Sequence, residues 1–399
     1  VLSFNGEIYN FYEIRKELEN LDQDFISNSD TEVLLKSYLT WGIDKTLSKL
    51  NGMFAFALLD KENEKLYLCR DRLGVKPLYY SKGENLCLFG SEIKAILSNN
   101  HFNKNININS LREYLQLGYV AEPYTIFEGV FKVPAGTYLT LDLKTFKVHS
   151  TKYWDLEEIF NRPKFTLSTK LHVQNLEDLI KKSCEYRMIS DVPVGVFLSG
   201  GYDSSTIAAI LQKNSHQKIK TFTIGFENEE YDESQQAERI AKYLNTDHHT
   251  HILSTNESIG LLESIYEYFD EPIADDSIIP TMAVSKLAKK NVSVALSADG
   301  ADEIFMGYPK YSEGLRISNR NIKFKRFNII LQIFSKTARF INSENRGKIK
   351  LLNFIAQKLD SISCIQIGKI LRKLQTHFTE HEINSLLIDK TNFRKSNFE

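Results

Sequence analysis

Cysteine is scarce, with four in 399 residues, and Cys69, Cys87, Cys184 and Cys364 lack metal-ligand spacing. That argues against a disulfide framework and reads as reduced thiols, so a cytoplasmic protein is expected. No apolar run is long enough to cross a bilayer, so no membrane partner is expected. An excess of one charge is missing too. Lys and Arg number 50 against 51 Asp and Glu, a net charge of -1, which gives no electrostatic reason to expect nucleic acid. The first position lacks methionine: Val1 already reads as part of an apolar strand, with no signal peptide before it. The sequence therefore reads as part of a longer protein. What is present is ordinary for a soluble globular chain, 42% hydrophobic and 25% charged, with a length that suits two or three domains.

The most informative stretch is Val192 to Ile210, VPVGVFLSGGYDSSTIAAI. Its valine-rich run predicts a buried strand. It breaks at Ser199-Gly200-Gly201 and resumes at Ser204-Ser205 as a helix with Ile207, Ala208 and Leu211 on one face. A strand, a glycine turn and a helix start point backbone N–H groups at an anion. Asp203 would repel a bare phosphate and makes sense if a divalent cation bridges the two. Alternatively, Asp203 or Ser204 is only the helix cap. No lysine follows as it does in the kinase-type phosphate loop. The string SGGYDSS resembles the pyrophosphate loop of the N-type ATP pyrophosphatases, which cleave ATP between its α and β phosphates.

The residues before it predict a different layout. VLSF reads as a strand with Asn5-Gly6-Glu7 at its end, followed by a helix from Tyr12 to Leu21. Ser29 or Asp30 caps a second helix carrying Val33, Leu34 and Tyr38. GMFAFALLD and EKLYLCRDRLGVKPLYYS alternate as strands, and Gly74 and Gly83-Glu84-Asn85 mark turns. Strands between flanking helices suggest an α+β sandwich. Asn5-Gly6 alone reads as a hairpin turn, and Asp30 alone as a helix cap. Arg70-Asp71-Arg72 reads as an ion-pair turn.

In this order, FNGEIYN, SDTEVLL, FAFALLD, RDRLGVKPLYY and SEIKAI resemble the glutaminase domain of glutamine-hydrolysing asparagine synthetases. The resemblance implies an N-terminal-nucleophile fold, an αββα sandwich of two sheets between helical layers. It implies that the Asn5 side-chain amide and the Gly6 N–H form an oxyanion hole. Each fixed donor there removes roughly 3 kcal/mol from the barrier to amide hydrolysis. It assigns glutamine binding to Asn5, Gly6, Glu7 and Asp30, the two carboxylates holding the α-amino group. The family's nucleophile, an N-terminal cysteine, falls before Val1. Cys69 and Cys87 lie in strands and do not replace it, so this stretch as written is not expected to hydrolyse glutamine.

Domain boundaries are expected at 1–150, a polar linker at 151–171 and a second domain at 172–399. After the loop, strands KIKTFTIGF, HHTHIL and VSVALS alternate with helices, predicting a parallel, doubly wound sheet with a helical C-terminal part. Ligands of such sheets sit beyond the strands' C-terminal ends, where Ser199, Gly225 and Ser297 fall. SADGADEIFMGY resembles the family's second signature. By resemblance, ATP contacts fall on Leu198, Ser199, Gly200, Gly201, Tyr202, Asp203, Ser204, Ser205, Ile224, Ser297 and Ala298. Asp203 and Asp302 would hold Mg²⁺, and Asp299 stands near the acceptor carboxylate. Without the resemblance, Asp299, Asp302 and Glu303 are an acidic first turn of a helix. Asp270-Glu271-Pro272 and Asp275-Asp276 form either an acceptor-side loop or a solvated acidic loop. His248, His249 and His251 suggest zinc, but adjacent histidines on a strand face opposite ways. The basic residues Arg316, Arg320, Lys323, Lys325 and Arg326 read as a solvated helix face rather than a nucleic-acid patch. The family's late catalytic lysine has no counterpart before Glu399.

The implied function is ATP-dependent amide synthesis from glutamine, ATP and aspartate or a similar carboxylate, with ATP and Mg²⁺ as cofactors. A homodimer is the expected assembly. Alternatives are an amidotransferase acting on another carboxylate, a β-lactam synthetase-like ligase, and a non-catalytic nucleotide sensor.

Overall fold

The structure, a computed structural model, describes residues 1–100, 102–230, 232–323 and 367–387. By contact they fall into two compact units. The first comprises Val1–Tyr114 and Tyr119–Ser297, the second Leu115–Gly118 and the described residues from Ala298 onward.

The first unit opens with β1 (Leu2–Ile8), α1 (Phe11–Glu19), α2 (Asp30–Lys49), β2 (Gly52–Asp60), β3 (Lys65–Arg70), β4 (Tyr79–Lys82), β5 (Cys87–Gly90), α3 (Ile93–Leu97), α4 (Ile108–Leu117), β6 (Val130–Lys132), β7 (Thr137–Asp142) and β8 (Val148–Lys152). Helix α4 ends in the second unit. One antiparallel sheet has the order β1-β2-β3-β7-β8, another β5-β4-β6. Strand β2 shows how they stack. Phe54, Phe56 and Leu58 join a core with Ile14, Leu18, Val33 and Leu34 of the two helices. Ala55 and Ala57, pointing the other way, pack with Leu78, Val133 and Tyr80 beside the second sheet. Ile93 and Ile96 of α3 then cover the far side of the second sheet through Val130, Tyr79 and Leu88. The layers run helix, sheet, sheet, helix; β2 turns its large side chains toward the helices and its alanines toward the second sheet, where Leu68 and Leu139 of β3 and β7 also pack.

The polar stretch 151–171 is largely ordered. β8 runs to Lys152, the Tyr153 hydroxyl donates to Arg70 O at 2.8 Å, and α5 (Leu156–Phe160) and α6 (Thr169–Met188) begin within it.

The parallel part comprises β9 (Val194–Phe197), α7 (Tyr202–Asn214), β10 (Lys220–Phe226), α8 (Ser234–Leu244), β11 (Asp247–Leu253), α9 (Thr255–Glu263), α10 (Ile265–Tyr268), α11 (Ile278–Ala288) and β12 (Val294–Leu296). Its four strands are parallel, in the order β11-β10-β9-β12. Cys184, Ala208, Leu211, Ala237 and Ala241 of α6, α7 and α8 cover one face. Val284, Leu287 and Ala288 of α11 cover the other around Phe222. Helix α11 starts at Ile278 because Pro280 occupies its first turn, where no N–H is needed. Helices α9 and α10 follow one another with a break at Ser264.

In the second unit lie α12 (Ala301–Phe305), α13 (Pro309–Lys323), α14 (Ile367–Leu374) and α15 (Glu380–Leu386). α13 and α14 pack closely: a Cβ on Gly314 would meet Leu371 Cδ2 at 2.8 Å. Lys325, Arg326 and Cys364, singled out from the sequence, lie outside the described residues.

Candidate functional site

Asn5-Gly6-Glu7 is not at a strand end, as the sequence suggested, nor in a hairpin turn. All three lie inside β1, opposite Ala55, Phe54 and Met53 of β2. The pairing partner is some fifty residues away, so no local signal announces it. Gly6 has φ +155, and a Cβ there would meet Met53 O at 2.2 Å. Only glycine lets the two backbones approach so closely. Leu2 and Phe4 pack on the helix-side core, so alternation puts Asn5 and Glu7 on the opposite face. Asn5 Nδ2 donates to Ser91 Oγ at 3.0 Å.

Helix α2 delivers Asp30. Ser29 is the N-cap, accepting from Thr31 N–H at 3.1 Å, so Asp30 is not needed as the cap. Its Oδ2 instead accepts from Ile8 N–H at 3.0 Å, beside Glu7. Burial pushes the Glu7 carboxyl up, the Asp30 charge adds to this, and Lys76 opposes it. The structure therefore brings Asn5, Gly6, Glu7 and Asp30 together on one edge of the first sheet. Cys69 is buried in β3 and Cys87 half-buried in β5, and burial raises both thiols. Neither has the character of an activated nucleophile.

Asp71 departs from the expected ion-pair turn. It is 1% exposed and accepts from the N–H groups of Phe54, Leu73, Val75 and Lys76 rather than from arginine. Arg70 pairs with Glu122 at 3.1 Å.

In the parallel sheet, β10 and β11 lie to one side of β9 and β12 to the other. The strand order therefore reverses between β9 and β12, and a crevice beyond the strands' C-terminal ends is the usual ligand position. The loop from Ser199 to Ser205 leaves β9 there. Leu198 is anchored first: its N–H donates to Phe222 O at 2.9 Å, and the Thr223 hydroxyl donates to its carbonyl. Ser199 N–H donates to Ser204 Oγ at 3.1 Å, the two hydroxyls are 2.9 Å apart, and Gly201 N–H donates to Ser199 Oγ at 3.4 Å. Ser205 Oγ donates to Gly201 O at 2.6 Å. Gly200 has φ +85, and a Cβ there would sit 3.2 Å from Ala237 N and the Gln236 side chain.

Gly201 is the N-cap of α7 and offers no side-chain cap, so the amides of residues 202–204 open the helix without an intrahelical acceptor. Tyr202 is 94% exposed. Asp203 is exposed, and its carboxylate has no hydrogen bond or ion pair among the described residues. Asp203 thus fits a hard cation: its carboxylate is solvent-facing, uncommitted to protein donors, and beside amides suited to phosphate. Ile224 lies in β10 opposite His251, half-buried. Ser297 follows β12 directly and is exposed.

The second signature is in the second unit from Ala298 onward. Asp299 is exposed, Gly300 has φ +89, and Asp302, half-buried, lies in the first turn of α12. Tyr308, whose hydroxyl donates to Glu303 Oε1 at 3.1 Å, is pushed up to about 12, chiefly by burial.

The three histidines have separate partners. His248 bonds Thr221 at 2.9 Å and Thr250 at 3.0 Å, His249 stacks on Phe222, and His251 pairs with Glu257 at 3.1 Å. Asp270 and Glu271 do not form a solvated loop; their side chains are 13% and 14% exposed and bind the sandwich.

The model of the asparagine synthase family matches residues 175–388, and that of the glutamine amidotransferase domain residues 1–154. The chain belongs to the asparagine synthase family. Among its relatives is a putative asparagine synthetase [glutamine-hydrolyzing] 2 of Methanocaldococcus jannaschii, 38% identical over 323 residues, 79% of this chain and 60% of that protein. Asparagine synthetase [glutamine-hydrolyzing] 1 of Bacillus subtilis is 40% identical over 318 residues, 79% of this chain and 48% of that protein. The chain thus spans about half to three-fifths of these asparagine synthases' length. Among solved structures, the B. subtilis glutamine phosphoribosylpyrophosphate amidotransferase overlaps at 15% identity and a TM-score of 0.28, over 63% of this chain and 60% of its own, too low to carry an argument.

Of the residues that organise the two candidate sites, sequence reading missed Ser91 and Thr223, and it singled out Asp270 and Glu271 without their partners Lys94, Ile126 and Lys132. Ser91 stands in the quoted SEIKAI string, but its bond to Asn5 crosses 86 positions.

Proposed function

We propose that the protein carrying this chain makes asparagine from aspartate, using ATP and the amide nitrogen of glutamine. Residues 1–150 form an N-terminal-nucleophile type glutaminase domain, and the layered helix–sheet–sheet–helix order supports this. Residues 151–171 are the linker, and 172–399 form an ATP pyrophosphatase domain, doubly wound around the β9–β12 reversal. The observation that carries the reading is the Ser199–Ser205 loop. It combines helix-start amides and a carboxylate that have no partner among the described residues with a serine-braced glycine turn at the switch point of a parallel sheet.

On this reading Glu7 and Asp30 hold the glutamine ammonium, and Asn5 Nδ2 and Gly6 N–H receive the negative charge on the amide oxygen. At the second site an aspartate β-carboxylate oxygen attacks the α-phosphorus of ATP. The bond to the bridging oxygen breaks, and pyrophosphate leaves toward the amides of residues 202–204. Ammonia then attacks the acyl carbon and AMP departs with the carboxylate oxygen. Asp203 would hold Mg²⁺, which would supply charge neutralisation for the leaving group, and the resemblance names Asp302 as its other ligand. Leu198, Ile224, Ser297 and Ala298 would border the nucleotide, and Asp299 the acceptor. Activation is required because a carboxylate is a poor electrophile, and exclusion of water protects the acyl-adenylate.

Product analysis of the complete gene product with aspartate, glutamine and ATP tests this. Equal amounts of asparagine, glutamate, AMP and pyrophosphate support it, and ADP in place of AMP contradicts it. A second reading, amidation of another carboxylate, draws on Asp299, an aspartate where the resemblance leads one to expect glutamate. It predicts AMP and pyrophosphate with that acceptor and none with aspartate.

A further inference from the structure

Helix α3 begins without a side-chain cap of its own: Glu92, at the N-cap, makes no such bond. The cap comes from the parallel-sheet half of the same unit. Asp270 Oδ2 accepts from Lys94 N–H, in the first turn of α3, at 3.1 Å. Lys94 Nζ lies 3.5 Å from Asp270 Oδ1 and donates to Glu267 O at 3.0 Å. The neighbouring Glu271 pins the segment: it accepts from Ile126 N–H at 2.7 Å and pairs with Lys132 at 2.8 Å. The residue just before the α3 cap is Ser91, the acceptor for Asn5 Nδ2. A carboxamide has two N–H bonds. Spending one on Ser91 fixes the plane of the amide and leaves the other to meet an oxyanion.

We propose that Asp270 is a positioning residue for glutamine hydrolysis, capping α3 from across the unit so that Ser91 holds the Asn5 amide in its working orientation. The inference rests on the glutaminase reading above. The cap carries a full negative charge where the helix start is positive, and the segment between Lys94 and Ser91 is too short to absorb a loss of register. The nucleotide-binding half thereby sets the geometry of the glutamine site without touching glutamine.

The test uses the complete gene product and three assays on each preparation: glutamate release from glutamine, glutamine KM, and amide synthesis from free ammonia. Asp270→Ala is expected to lower the glutaminase kcat about tenfold, less than the roughly hundredfold for removing an oxyanion donor outright. Glutamine KM and ammonia-dependent synthesis should stay within about twofold, because Glu7, Asp30 and the Ser199–Ser205 loop are untouched. Asp270→Asn, whose carbonyl oxygen still accepts from Lys94 N–H, should recover most of the rate. Lys94→Ala keeps the backbone donor and should resemble wild type. Ser91→Ala cuts the path at its other end and should reproduce the loss even where Asp270→Ala folds poorly, and the double variant should be no worse than either single one. An unchanged glutaminase kcat in Asp270→Ala and Ser91→Ala overturns the proposal. So does an equal fall in ammonia-dependent synthesis, or losses that simply add. If the wild-type protein releases no glutamate from glutamine, the glutaminase reading itself fails, and this inference with it.

Discussion

Asp71, Glu7 and Glu32 are carboxylates whose sequence neighbours say little about what they do. Asp71 sits between two arginines, which suggested ion pairing, yet its oxygens serve four backbone N–H groups in the interior. Asp71→Ala would strand those donors and is expected to cost about 3 kcal/mol, measured by chemical denaturation. Glu7 is pushed up by burial and by Asp30. As pH falls it therefore protonates before an ordinary carboxylate, and on the proposed reading the glutamine ammonium loses one partner. Glutamine KM should rise from a correspondingly higher pH, and Glu7→Gln should raise KM at neutral pH and flatten that rise. Glu32 behaves oppositely: the N–H groups of Ile26 and Ser27 and the Ser27 hydroxyl bring it down to about 2. A folded value below the unfolded one adds stability above the ordinary range, lost as pH falls toward about 2. Thermal scans should find Glu32→Gln less stable than wild type at pH 7 and equal to it near that lower limit.

The elements around the Ser199–Ser205 loop were legible because their signals are local. The valine run of β9, the glycine break and the apolar face of α7 sit in one continuous stretch, and the structure follows it closely. The alternation of strands and helices through β12 was equally readable. Strand β1 was not: Asn5-Gly6 carries the strongest short turn signal, and only pairing with β2 overrides it. Likewise β2, buried on both faces, reads as continuous apolar sequence until α1, α2 and the second sheet are placed against it. Within α7's loop, Gly200 is the position least able to change. Gly200→Ala forces a side chain into φ +85 beside Ala237 N. It should cost about 1–2 kcal/mol of stability from the backbone term alone and lower ATP–pyrophosphate exchange by a larger factor than it lowers glutamate release.

At the scale of the molecule, the two candidate sites lie on two kinds of sheet. Asn5 and Gly6 stand on an antiparallel edge, Ser199 to Ser205 at a reversal of parallel strands. What motif reading could not supply were the contacts spanning long sequence separations, such as Asn5 with Ser91 and Asp270 with Lys94 across 176 positions. Adenylation at the Ser199–Ser205 loop is the step that everything proposed above requires. Exchange of labelled pyrophosphate into ATP, with and without aspartate, measures that step alone in the complete gene product. Exchange should require aspartate and fall at least about a hundredfold in Asp203→Ala. Exchange unaffected by Asp203→Ala, or none in the wild-type protein with any carboxylate offered, would contradict adenylation at this loop.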